Sequence, residues 1–177
     1  MELFKPIKDR CIGLHRGNHE ECLRLKYHFD VMAKMKEAWG VPLLEDTAFT
    51  RLTFDRNGDH TEKFILWTSH SNAGGRGTGG KLNRIEDCMA IFDADVYVVG
   101  HGHRKVITSL TALSASDKGD LHLISRRRVG GMTGAYFKTY LEGHSTYGEK
   151  GMFSPSDLGA IKLTIDPADR NYFLSEV

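Results

Sequence analysis

Val96-Tyr97-Val98-Val99 is the tightest constraint on what this chain can fold into. Four consecutive apolar residues without alternation describe a strand buried on both faces, which must be covered from two sides. Asp95 opens the run and Gly100-His101-Gly102-His103 closes it. Both imidazoles therefore stand at the carboxyl end of a covered strand, where open α/β sheets build their sites.

The rest of the chain supplies elements for such a sheet. From about Glu20 to Ala38 the pattern is helical, with Cys22, Leu25, Phe29, Met32 and Met35 at spacings of three and four, and Gly40 and Pro42 end it. Leu82 to Phe92 is a second amphipathic helix, with Leu82, Ile85, Met89 and Phe92 on one face. Cys11 to Leu14 reads as a short strand entering the turn Arg16-Gly17-Asn18. Ala48–Phe54 and Glu62–Trp67 read as strands joined through Asp55-Arg56-Asn57-Gly58-Asp59, a hairpin signal. Beyond residue 103 the expectation is mostly β: Lys105–Leu110, Leu121–Arg128, Gly134–Phe137, Ala160–Ile165 and Tyr172–Leu174. The 19 glycines cluster beside apolar runs, so they read as tight connections and not as linkers. With no repeat and no shift in composition, 177 residues are expected to form a single α/β domain.

Charge and cysteine usage narrow the function classes. Twenty-four basic residues against 23 acidic ones give a net +1, which offers no strong electrostatic case for nucleic acid or a membrane surface. No apolar stretch approaches the roughly 20 residues that a membrane helix requires. The first ten residues, MELFKPIKDR, contain no signal-type apolar region. Cys11, Cys22 and Cys88 lack CxxC spacing, which argues for a reducing compartment and a cytoplasmic protein.

Three segments carry chemistry: Arg16-Gly17-Asn18-His19-Glu20, Thr68-Ser69-His70-Ser71 and Gly100-His101-Gly102-His103. Each follows an expected strand, so Asn18, His70, His101 and His103 come to strand ends. A single histidine at such a place is usually a surface residue. Three strand ends that each carry a ligand type argue for a borderline divalent ion such as Zn, Mn or Fe.

In these motifs the chain resembles the calcineurin-like metallophosphoesterase superfamily, whose signature runs Asp-x-His, Gly-Asp, Gly-Asn-His-Asp/Glu, a middle His and Gly-His-x-His. Gly17-Asn18-His19-Glu20 matches the third element, His70 the fourth and Gly100-His101-Gly102-His103 the fifth. Gly134-Ala135-Tyr136-Phe137-Lys138-Thr139-Tyr140, with Tyr147 and Gly159, is similar to the tail of phage-type and bacterial members. The resemblance implies a four-layer α/β/β/α sandwich and hydrolysis of phosphoesters by metal-activated hydroxide. It assigns Asn18, His70 and His101 to one ion of a metal pair and His103 to the other. His19 becomes the non-ligand histidine that protonates the leaving oxygen or stabilises phosphoryl charge. Arg16 and Arg76 are candidates for binding substrate phosphate.

The Asp-x-His and Gly-Asp elements have no counterpart before Gly17. The expectation is therefore an incomplete sandwich, the C-terminal part of a metallophosphoesterase domain, weak or inactive as an isolated chain. It would hold at most one of the family's two ions, and self-association or an absent N-terminal segment would cover its exposed edges.

Two other readings compete. Gly75-Arg76-Gly77-Thr78-Gly79-Gly80-Lys81 fits G-x-x-x-x-G-K between a strand and a helix, a P-loop-like nucleotide site, but Leu82 stands where Ser or Thr should reach Mg. Alternatively Arg126-Arg127-Arg128, near Tyr136, Phe137 and Tyr140, suggests a non-catalytic remnant associated with nucleic acid. A role for His144 on the phosphate side is a further candidate.

Overall fold

The computed structural model describes residues 2–56, 58, 60–70, 75, 77–116 and 119–177. It is a mixed α/β structure that divides into two compact units, Met1–Ala48 with Ser69–Ser71, and Phe49–Thr68 with Asn72–Val177. Among the described residues, no helix is long and apolar enough to cross a membrane.

In the first unit, a 3-10 stretch at Glu2–Arg10 precedes helices α1 (Asn18–Tyr27) and α2 (Val31–Trp39). The single helix expected over Glu20–Ala38 is therefore two. His28 adopts a left-handed φ of 52° and ends α1, and Asp30 restarts the chain by accepting a hydrogen bond from Ala33 N at 2.8 Å. An Asp at this position satisfies one of the free N–H groups of a new helix. Gly40, at φ 68°, closes α2 by donating to Lys36 O. The expected strand at Cys11–Leu14 shrinks to one parallel bridge between Leu14 and Leu43.

The second unit contains most of the sheet. Strands β1 (Thr47–Arg56), β2 (His60–Ser69), β3 (Val96–Val99), β4 (Val106–Ala115) and β5 (Leu123–Met132) lie in the order β1-β2-β3-β5-β4. β5 runs parallel to β3 with Val96 opposite Val129, and antiparallel to β4. Helix α3 (Thr78–Ile91) covers one face, and the hairpin of β6 (Ile161–Asp166) and β7 (Asn171–Glu176) covers the other. The short α4 spans Tyr147–Lys150. Gly134–Phe137, expected as a strand, contributes only the bridge from Ala135 to Leu158.

The side chains of β3 explain why its apolar run does not alternate. Tyr97 and Val99 join Trp67, Ile85, Met89 and Met132 under α3. Val96 joins Phe64, Val129, Tyr172 and Leu174 under the hairpin, with Val98 packed against that cluster. Burying several side chains of this size, at roughly 1.5–3 kcal/mol each, is the main stabilising term. Beside them, Gly130 and Gly131 let both covers close in. A Cβ on Gly130 would strike Ile85 and Met89, and one on Gly131 would strike Ile161. The buried Tyr97 hydroxyl donates to Phe92 O at 2.7 Å and accepts from Ala94 N at 2.9 Å, so it carries no unmet polar demand.

Candidate functional site

The first unit brings together residues far apart in sequence. Gly17 caps α1 in an extended conformation, which places Asn18, His19 and Glu20 in the first turn. His70 follows β2 and is pinned there, because its N–H and the Ser69 hydroxyl both donate to Asp46 O, at 3.0 and 2.8 Å. The His70 imidazole reaches the Asn18 carboxamide, with Nε2 at 3.4 Å from Oδ1. A Cβ on Gly17 would lie 3.4 Å from His70 Nε2 and collide with the Glu20 carboxylate. Asn18, His70 and Glu20 thus converge on one small region beside Gly17. Glu20 is the residue that reading by motif left without a role. His19 is exposed on the same turn.

Arg16 is held within the first unit. Its guanidinium donates to both Asp30 oxygens at 2.9 Å and to Glu45 at 2.7 Å. This fork joins the segment before α1 to the cap of α2. Hydrogen bonds from Arg16 lower the Asp30 carboxyl from 3.8 to about 2, with a further contribution from Ala33 N. An unfolded chain protonates Asp30 near pH 4, whereas the folded one resists until about pH 2. The stability it contributes is therefore complete above pH 4 and is lost as pH falls through that window. Urea midpoints measured from pH 5 to 2 should show Arg16→Gln less stable by about 2 kcal/mol at pH 5. The gap should narrow toward pH 2; a gap independent of pH would rule out the ion pair as its cause.

In the second unit, the turn after β3 holds both remaining histidines. His101 and His103 adopt positive φ, 74° and 51°. Left-handed backbone costs a non-glycine residue about 1–3 kcal/mol and persists only where neighbours impose it. Next to His103 the backbone is held by Asp157. Its N–H donates to His103 O at 2.9 Å, and its Oδ2 accepts from Lys105 N at 3.0 Å, so it brackets Arg104 from both sides. The His103 ring stands edge-on to Phe137, centroids 4.8 Å apart at 90°. The His101 and His103 rings lie 6.2 Å apart. No motif points to Asp157, which lies 54 positions beyond His103.

Other candidates are placed as follows. Arg126 pairs with Asp93 at 2.7 Å and Asp95 at 3.0 Å, while Arg128 binds Asp93 and Met89 O at 2.9 and 2.6 Å. Two of the three guanidiniums thus belong to the sheet's own polar network. His144 lines an open depression of about 410 Å³ with Tyr140, Leu141, Glu142 and Glu149. Its two carboxylates oppose an anionic ligand there. Arg76 lies outside the described residues.

The donor chemistry fits a borderline divalent ion: imidazole nitrogen, carboxamide oxygen and one carboxylate. Among the described residues, no group of three or more His, Cys, Asp or Glu side chains is placed to hold a metal. No protein-family model, curated protein or solved structure matches the chain.

Proposed function

We propose that this chain is a metal-dependent phosphoester hydrolase of the calcineurin-like metallophosphoesterase type, weak or inactive in isolation. The observation that carries the reading is the turn after β3, where His101 and His103 both take left-handed backbone at the carboxyl end of a buried strand. Strain of this kind concentrates at functional sites. The approach of His70 to Asn18 in the first unit supports it. The finer architecture belongs to the same proposal: an incomplete four-layer α/β/β/α sandwich.

By the resemblance, Asn18, His70 and His101 would be ligands of one ion of the pair and His103 a ligand of the other, with at most one ion held per chain. The ion would supply a hydroxide near neutral pH and offset charge on the phosphoryl oxygens. His19, exposed on the first turn of α1, gives a proton to the leaving oxygen. Asp157 acts on neither metal nor substrate; it holds the turn that presents His103.

Equilibrium dialysis and turnover of a phosphodiester test substrate check this together. We expect at most one weakly bound Mn per chain, with affinity at least tenfold lower in His70→Ala and His101→Ala. Turnover should be slow, Mn-dependent and abolished in His101→Ala. Mn binding that neither substitution alters, together with no Mn-dependent turnover, would reject the proposal.

A further inference from the structure

We infer that β4, an outer strand of the five-stranded sheet, pairs with β4 of a second copy of this chain about a two-fold axis. The inference does not rest on the metal reading. In the order β1-β2-β3-β5-β4 this strand has a hydrogen-bonded neighbour on one side only. All ten of its residues pair with β5 in unbroken register, so no bulge turns the edge away. Its other side presents a row of N–H and C=O groups that a further strand can pair.

Sheet edges are normally guarded by charge, proline or a bulge. β1, the opposite edge, carries exposed Arg51 and Asp55. β4, with the sequence VITSLTALSA, has no such guard. The two covers reach only its beginning: Val106 lies under α3, and Ile107 packs against the hairpin cluster. From Ser109 to Ala115 every residue is exposed except half-buried Ala112. Leu110, 40% exposed, and Leu113, 63% exposed, stand on opposite faces of this open stretch.

Charge and size select a second copy over a foreign strand. A strand that pairs with its own copy meets its own charges, and β4 brings none. Behind it, Arg126 and Arg128 of β5 are matched by Asp93 and Asp95. The exposed Arg127 of each copy would stand at least about 14 Å from the other, three strand spacings, beyond the Debye length of about 8 Å at physiological salt. Ala112 is the centre of the open stretch, and an axis through it pairs residues 109–115 with their counterparts. Leu110 then faces Ser114 and Leu113 faces Thr111, so each large side chain meets a smaller one on the same face of the sheet. Such a contact is isologous and closes at two copies. A single strand pairing lies at the small end of specific interfaces, so the dimer should dissociate in the micromolar range.

Sedimentation velocity of the full chain from about 2 to 200 µM tests this. A monomer–dimer equilibrium is expected, with no larger species. Leu113→Lys should weaken the dimer at least tenfold and leave the melting midpoint of the dilute monomer unchanged, because the side chain is exposed. Adding Thr111→Glu to that variant sets a carboxylate opposite each new ammonium across the axis, and should recover at least threefold of the lost affinity. Hydrogen exchange reads the backbone: the alternate amides within 109–115 that turn away from β5 should be protected at the highest concentration and released on dilution. A monomer throughout would overturn the inference and leave the edge to a strand of another protein. Species beyond a dimer, an unchanged dimer in Leu113→Lys, or β4 exchange independent of concentration would overturn it equally.

Discussion

Asp95→Ala should lower the unfolding free energy by about 3 kcal/mol, toward the low end for breaking a buried ion pair because Arg126 retains some access to water. Asp95 is 1% exposed and joins three strands through its side chain and backbone. Its Oδ2 accepts from Ile65 N on β2 at 2.8 Å, and its Oδ1 accepts from Arg126 Nε on β5 at 3.0 Å. Its own N–H donates to Ile65 O, and its carbonyl accepts from Val129 N. Truncation leaves the Ile65 N–H buried without an acceptor and weakens the hold on Arg126, whose other partner is Asp93. At roughly 2–4 °C per kcal/mol for a chain of this size, the melting midpoint should drop by about 10 °C. Asp95→Asn keeps an acceptor for Ile65 N and should lose roughly half as much. A drop under about 3 °C in Asp95→Ala would mean that water reaches the site and replaces the carboxylate. Since β3 delivers His101 and His103, metal affinity should fall in the same variant.

The second unit was more legible in sequence than the first, and the reason is where the apolar residues go. Val96–Val99 shows its strand and its double burial at once, because two clusters use alternate residues of the same run. The α3 face of Ile85 and Met89 was equally readable, since that face is buried. In the first unit the periodicity through Cys22, Leu25 and Phe29 continues across a break in the helix. None of the α1 residues is buried, so spacing carried no information about where the helix should stop. The break is set by Asp30, whose partners Arg16 and Ala33 come from both sides of it. The histidines and Asn18 were visible as residue types after expected strands. What holds them was not: Asp46 under His70 and Asp157 under His103 are tertiary contacts without a local pattern. Glu20 was visible in its motif, yet its approach to Gly17 depends on the extended cap.

Gly134→Ala should cost about 3 kcal/mol and loosen the turn that presents the two histidines. A Cβ at Gly134 would collide with the carbonyl oxygen of Asp157 and come within 2.9 Å of the Gly159 carbonyl oxygen. Both obstacles are backbone, so no side chain can rotate away. Relief requires breaking the bridge in which Ala135 N donates to Asp157 O at 2.8 Å and Gly159 N donates to Ala135 O at 2.9 Å. Two such bonds at about 1 kcal/mol each, with overpacking of 1–3 kcal/mol, give the expected cost. Asp157 moves with the bridge, and the Lys105 N–H that donates to its side chain becomes exposed to exchange. Hydrogen exchange should therefore quicken at Lys105 and Asp157 in Gly134→Ala. Gly130→Ala provides the comparison, because its extra methyl strikes Ile85 and Met89 in the core, away from this bridge. It should destabilise the chain with no selective loss of protection at Lys105. Equal exchange profiles in the two variants would show that Asp157 does not constrain His103, and the left-handed backbone at His103 would then need another cause.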